Sequence, residues 1–123
     1  MNKFERPEML LGCAAVEKLK NSHVAVFGAG GVGGHAAEAL ARAGVGRLDL
    51  IDSDRVSISN INRQIIATHH TVGKFKTEAM RERILSINPD AEVVCHSLFF
   101  HCRKKTVCHA AYTKPEQILV QPF

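Results

Sequence analysis

Long apolar segments and paired cysteines are both absent from this sequence. No apolar run approaches the ~20 residues that a membrane-spanning helix requires, and residues 1–8 are too polar for a signal peptide. We therefore expect no membrane contact and a cytoplasmic location. Without a secretion signal the four cysteines are predicted to be reduced thiols, and because they lack the C-x(2–4)-C spacing of structural zinc sites we predict no metal site (Cys13, Cys95, Cys102 and Cys108).

Little net charge of either sign is present over most of the chain. The net charge is +4 at pH 7, with 23% charged and 46% hydrophobic residues, as in an ordinary soluble globular protein. Most of the net charge belongs to the end of the chain, where four basic residues face one acidic residue (Arg103, Lys104, Lys105, Lys114 and Glu116). A pI of about 9.0 that arises from such a tail does not by itself predict nucleic-acid binding.

Apolar strand patterns and amphipathic helix patterns alternate from residue 23 onward. We predict strands at 24–27, 48–51 and 92–95 and helices at 32–43 and 74–87, preceded by two short helices broken near Pro7 and Gly12. This order predicts an α/β fold: a Rossmann-like parallel sheet with flanking helices, truncated to the first mononucleotide-binding half. We assign residues 1–100 to this half-domain. Residues 101–123 show no clear periodicity and contain Pro115 and Pro122, so we expect an irregular basic tail.

A glycine-rich turn joins the first predicted strand to the following helix. Gly28, Gly30 and Gly33 satisfy G-x-G-x-x-G, in which the first glycine permits the turn, the second lets amides approach phosphate, and the third allows close packing. Asp52 ends the second strand, where a carboxylate can accept hydrogen bonds from ribose hydroxyls. The pattern predicts a nucleotide site that would serve ATP or NAD equally well.

The residues beyond the second strand favour ATP. Taken singly, Arg63 and Lys76 could be solvated surface cations. Together with Asn60 they supply the fixed donors and positive charge that a triphosphate needs and that an NAD enzyme does not need at this place. A dehydrogenase is therefore the less favoured alternative.

Several segments carry a resemblance to a known superfamily. GAGGVGG, DSDRVSISNINRQ and TVGKFK, in this order, resemble the ubiquitin-like-modifier-activating enzymes of the ThiF/MoeB/HesA type. Within that superfamily, FERPEMLLG, AEALARAGVGRLDLID and MRERILSINPDAEV are most similar to the tRNA threonylcarbamoyladenosine dehydratase branch, over about residues 3–100.

By motif position the resemblance implies roles for individual residues. Gly31 would face the phosphates with the rest of the glycine loop, and Asp52 would face the ribose. A further set would surround the triphosphate (Asp54, Asn60, Asn62, Arg63, Gln64 and Lys76). The resemblance also implies a homodimer in which Arg6 reaches the ATP site of the other subunit, so that Arg6, Arg63 and Lys76 would take part in catalysis.

The chemistry that the resemblance implies is adenylation of a carboxylate by ATP with Mg²⁺. Arg63 and Lys76 would stabilise the charge that develops on the phosphates. In the dehydratase branch the acid is the threonylcarbamoyl group of a modified adenosine in tRNA, which then cyclises with dehydration. In the MoeB and ThiF branch it is the C-terminal glycine of a ubiquitin-like sulfur carrier protein.

The sequence departs from the superfamily in two ways. The later D-A-x-D motif, whose aspartate serves the Mg-ATP site, does not occur in these residues, and the resemblance ends abruptly after Phe100. We therefore expect a truncated or frameshifted product with weak or no activity. The alternative to an enzyme is a non-catalytic fragment that binds nucleotide or forms dimers.

Overall fold

The computed structural model describes residues 2–98 and the backbone of a strand at 117–120. Its helices are α1 (Glu5–Leu11), α2 (Cys13–Lys20), α3 (Gly31–Ala43) and α4 (Lys76–Ile87), with a short 3₁₀ helix at Ile58–Asn60. Its strands are β1 (His23–Phe27), β2 (Arg47–Ile51), β3 (Glu92–His96) and β4 (Gln117–Val120). None of the helices in these ranges is long and apolar enough to cross a membrane.

The strands form one parallel sheet in the order β3-β2-β1-β4. This arrangement confirms the predicted α/β fold, and the three predicted strands and two main helices begin and end within two residues of their expected limits. One short helix differs from expectation. Pro7 lies inside α1 rather than breaking it, because it occupies the first turn, where its missing N–H would have no helical partner.

The strand β4 differs from the irregular tail that the sequence pattern predicted. It runs parallel to β1, with Gln117 opposite His23 and Val120 opposite Val26. Four residues are too few to show a periodicity, and their strand conformation depends on hydrogen bonds to a strand almost a hundred positions earlier. A local pattern carries no signal for such a contact.

The core lies between the sheet and the pair α3 and α4. Val24, Val26, Leu48 and Leu50 are fully buried and pack in one cluster with residues of these helices, including Ala37, Ala41, Met80 and Ile84. The opposite face of the sheet buries a smaller cluster of Ala25, Phe27 and Ile51. Burial on both faces explains why β1 and β2 are nearly continuous apolar runs instead of alternating ones.

A buried carboxylate joins the two core helices. Glu38 of α3 accepts hydrogen bonds from Arg83 of α4 at 3.0 and 3.3 Å and from Arg42 of its own helix at 2.8 and 3.1 Å. The hydrogen bond from Arg83 is the main reason that the pKa of Glu38 is lowered. The charged contact thus joins α3 to α4, and the glycine turn and Lys76 lie at the first turns of these two helices.

Candidate nucleotide-binding site

The glycine turn lies at the carboxyl ends of β1 and β2. Gly28 has a φ of +88°, which strongly favours glycine, and its N–H donates to the Ile51 carbonyl at 2.8 Å. A Cβ atom on Gly33 would overlap the Gly28 carbonyl, so α3 can approach the turn only with glycine there. By contrast, a Cβ on Gly31 would meet nothing within 4 Å. The turn therefore leaves open space in front of the first residue of α3.

The sheet order gives this turn its special place. β1 leads through α3 to β2 and through α4 to β3, all in one direction across the sheet, whereas β4 lies on the other side of β1. The strand order thus reverses at β1. In open α/β sheets, ligands bind in the crevice at the carboxyl ends of the strands where the order reverses, which here is the position of Gly28 and the residues after it.

Asp52 lies against the glycine turn. Its Oδ2 accepts the N–H of Ala29 at 2.8 Å, and its Oδ1 accepts the N–H of Asp54 at 2.8 Å. A carboxylate oxygen has two lone pairs, so both oxygens can still accept a further hydrogen bond from a ribose hydroxyl. The contact with Ala29 also means that the Asp52 carboxylate and the glycine turn are held as one unit.

The 3₁₀ helix and the residues after it carry two of the expected amide side chains. Asn60 is buried and its Oδ1 accepts the Ser57 N–H at 2.9 Å, which closes a capping box. The Asn60 carbonyl then accepts the Gln64 N–H at 2.9 Å. The Gln64 side chain lies so close to Gly30 that a Cβ there would come within 3.0 Å of it, and its buried Oε1 accepts no hydrogen bond from the residues that the structure describes.

The two expected phosphate cations differ in their surroundings. The Arg63 side chain is exposed and donates through Nη1 to the Ser59 carbonyl and to the Asn62 side chain, both at 2.9 Å. Lys76 is only 8% exposed, and its Nζ lies 3.7 Å from Oδ2 of Asp54. The possibility that Lys76 is a solvated surface cation is therefore wrong, because its aliphatic stem is packed against the protein.

Arg6 lies far from the glycine turn. It lines an apolar cavity of about 340 Å³ with residues that include Leu19 and Ala43, the last residue of α3. The glycine turn is at the first residue of the same helix, and a 13-residue helix is about 20 Å long. The fold therefore does not bring Arg6 to the site of its own chain, and its role in a partner's site stays a prediction.

Sequence reasoning missed two features near the site and a third one elsewhere on the sheet. The first is the Ala29 N–H that holds Asp52. The second is the stacking of Arg55 on Phe75, which are twenty positions apart and share no motif. The third is on the other face of the sheet, where Asp49 lies 3.0 Å from Nε2 of His23 and 3.9 Å from Nε2 of His96. Only Asp49 could have been suspected, because it is an acidic residue inside an otherwise apolar strand.

Comparison with known proteins places the chain in a family. The model of the ThiF family matches residues 4–119, beyond residue 100, where the recognisable motifs end. The tRNA threonylcarbamoyladenosine dehydratase of Bacillus subtilis is 51% identical over 100 residues, which are 81% of this chain and 39% of that protein. The adenylyltransferase and sulfurtransferase MOCS3 of Drosophila yakuba is 50% identical over 80 residues, which are 65% of this chain and 18% of that protein.

The fold is also similar to solved structures of the family. The crystal structure of Escherichia coli tRNA N6-threonylcarbamoyladenosine dehydratase in complex with ATP superposes with a TM-score of 0.86 and 36% identity, over 98% of this chain and 49% of that one. The chain thus spans about half, or less, of the length of these relatives. With its glycine turn, its Asp52 and its parallel sheet in place, the chain belongs to the ThiF family.

Proposed function

We propose that this chain is the ATP-binding part of an enzyme that adenylates a carboxylate, with the threonylcarbamoyl group of a modified adenosine in tRNA as the acid. The observation that carries the proposal is the single unit formed by the glycine turn, Asp52 and the Lys76 region at the point where the strand order reverses. The similarity to a dehydratase crystallised with ATP supports the choice of nucleotide. Action on tRNA would place the enzyme in the cytoplasm.

Each part of the site would have a separate task. Asp52 would bind the ribose hydroxyls, and the amides at Gly30 and Gly31 would approach the phosphates at the positive end of α3. Asn60 closes the capping box of the 3₁₀ helix, and Asn62 and Gln64 would contact the triphosphate, as the family resemblance implies. Arg63 and Lys76 would stabilise the negative charge that develops on the phosphates as the carboxylate attacks.

The family resemblance implies Mg²⁺, for which this part of the protein offers few ligands. In nucleotide sites the ion takes most of its ligands from phosphate and water, with one or two carboxylates. Asp54 has an exposed carboxylate just beyond the carboxyl end of β2, but the Lys76 ammonium already lies beside it. Residues 2–98 hold no group of three side chains that could bind a metal ion. Asp54 is thus the candidate protein ligand, and the ion would supply compensating charge to the phosphates.

A second acid is supported by a specific observation. The similarity to MOCS3 covers the same motifs at nearly the same identity, so the C-terminal glycine of a ubiquitin-like sulfur carrier protein is the alternative substrate. A homodimer in which Arg6 completes the partner's site belongs to either version of the proposal. If the chain binds ATP but activates neither acid, the non-catalytic fragment is the better description.

The test is a thermal-shift comparison of ATP and NAD on the purified chain. A nucleotide at a hundredfold excess over its Kd raises the stability of the folded form by about 2.7 kcal/mol, so ATP should raise the melting temperature clearly and NAD should not. Arg63→Ala and Lys76→Met should each lose about 1.5–3 kcal/mol of ATP binding, the cost of one hydrogen bond to a charged group. Methionine preserves the buried stem of Lys76 and removes only the charge.

The matched control is Lys74→Ala. It also removes one positive charge, but Lys74 pairs with Glu82 at 2.9 Å on the outer side of α4. It should keep most of the ATP shift. A larger shift with NAD than with ATP would contradict the proposal and restore a dehydrogenase reading. If Arg63→Ala and Lys76→Met both retain the full ATP shift, neither cation contributes to ATP binding.

A further inference from the structure

A small antiparallel clasp holds the start of α4 against the segment after β2. We define the clasp as residues 54–56 and 73–76. Its backbone hydrogen bonds run from Val56 N–H to the Lys74 carbonyl at 2.8 Å, from Gly73 N–H to the Val56 carbonyl at 2.9 Å and from Lys76 N–H to the Asp54 carbonyl at 3.0 Å. Arg55 and Phe75 form the bridge between the two segments. Lys76 therefore has its backbone position set by the clasp.

The two sides of the clasp differ in what secures them. On the inner side, Val56 is 3% exposed and belongs to the main core cluster. On the solvent side, the Arg55 guanidinium lies 3.9 Å from the centre of the Phe75 ring, and its Nη1 donates to the Gly73 carbonyl at 2.8 Å. Arg55 thus makes contacts with both ends of the segment that leads into Lys76.

We infer that Arg55, stacked on Phe75, is a positioning residue that sets where the Lys76 ammonium stands for the triphosphate. The inference rests on the proposed function. Phe75 directly precedes Lys76 and caps the N-terminus of α4 with an extended backbone, so a change in the Phe75 position passes straight into the first helical residue. The buried stem of Lys76 leaves its ammonium little freedom to compensate for such a shift.

A guanidinium suits this task better than another cation would. Its planar face can stack on an aromatic ring while an edge N–H donates to a carbonyl. A lysine at position 55 could place charge over the ring but could not stack a plane on it. The expected effect is therefore a graded one: arginine best, lysine intermediate and alanine worst.

The experiment measures the affinities of ATP and AMP for the full 123-residue chain by isothermal titration calorimetry. Arg55→Ala should weaken ATP binding about three- to tenfold, which is less than the loss expected from removing the Lys76 charge itself, because the backbone hydrogen bonds of the clasp remain. AMP lacks the outer phosphates that Lys76 would contact, so its Kd should change less than about twofold. Arg55→Lys should recover part of the loss. Phe75→Leu keeps the apolar volume but removes the ring, so it should weaken ATP binding by a similar factor. This variant tests the inference if Arg55→Ala folds poorly.

Two comparisons separate positioning from simpler explanations. Lys74→Ala removes a charge one residue from Phe75 without touching the stack, and it should weaken ATP binding less than Arg55→Ala does. In a Lys76→Met background, Arg55→Ala should cause no further loss, because residues that act through each other are not additive.

The inference is wrong if Arg55→Ala weakens ATP and AMP equally, or if its effect persists in full without the Lys76 charge. Wild-type chain that binds no ATP would overturn the proposed function itself. If the wild-type chain binds ATP and the Arg55→Ala variant binds it equally tightly, only the role of Arg55 is overturned.

Discussion

Replacing Glu38 by glutamine should show how much the bond between α3 and α4 contributes to stability. The carboxylate is 11% exposed and accepts hydrogen bonds from Arg83 and Arg42, whose side chains are 46% and 58% exposed. Because both arginines can turn to water once the charge is gone, we expect the cost of losing charged hydrogen bonds, about 1.5–3 kcal/mol, and not the larger cost of a stranded buried charge. For a chain of this size that lowers Tm by about 6–12 °C.

The pH dependence gives the prediction a sign. The folded-state pKa of Glu38 is lowered below its ordinary 4.5, chiefly by the hydrogen bond from Arg83. Its contribution is therefore fully present above about pH 4.5 and is lost as the pH falls through the lowered folded value. Denaturant melts of wild type and Glu38→Gln should differ most near pH 7 and converge as the solution becomes acidic.

Glu82→Gln is the matched control for this measurement. Glu82 belongs to α4 and, like Glu38, pairs with a cation, Lys74 at 2.9 Å, but the Glu82 and Lys74 side chains are 60% and 42% exposed. Such a surface pair contributes about 0–1 kcal/mol. A Glu38→Gln variant no less stable than Glu82→Gln, or a difference from wild type that does not shrink at low pH, would refute the reasoning.

Two further predictions concern the glycine turn and the missing motif. Gly33→Ala should be destabilised by about 1–3 kcal/mol, because its Cβ meets a backbone carbonyl that cannot easily move, whereas Gly31→Ala should keep or slightly raise Tm and lose ATP affinity in calorimetry. Equal stability of the two variants would show that α3 does not pack as closely as described. Lacking a D-A-x-D aspartate, the 123-residue chain should show at most weak ATP–pyrophosphate exchange with any acid, and robust exchange in a radiolabel assay would contradict the importance given to that motif.

Much of the architecture followed from patterns that are local in the chain. Local sequence patterns determine the first strand, turn and helix. These patterns are the apolar runs at β1 and β2, the helical spacing of α3 and the glycines before α3. The positions of Gly28, Gly33 and Asp52 also follow locally, because a turn that joins a parallel strand to a helix places its residues at the carboxyl edge of the sheet. For these elements the prediction from sequence is confirmed by the fold.

Other features depend on contacts between distant residues. The strand β4 exists only through its pairing with β1, and that pairing is what makes β1 the point at which the strand order reverses. The stacking of Arg55 on Phe75 and the position of Lys76 depend on the clasp, which joins two segments that are distant in the sequence. Residue types and their spacing determine which groups can bind phosphate. The positions of their charges depend on tertiary packing, because the direction of a side chain is set by neighbours that are distant in the sequence.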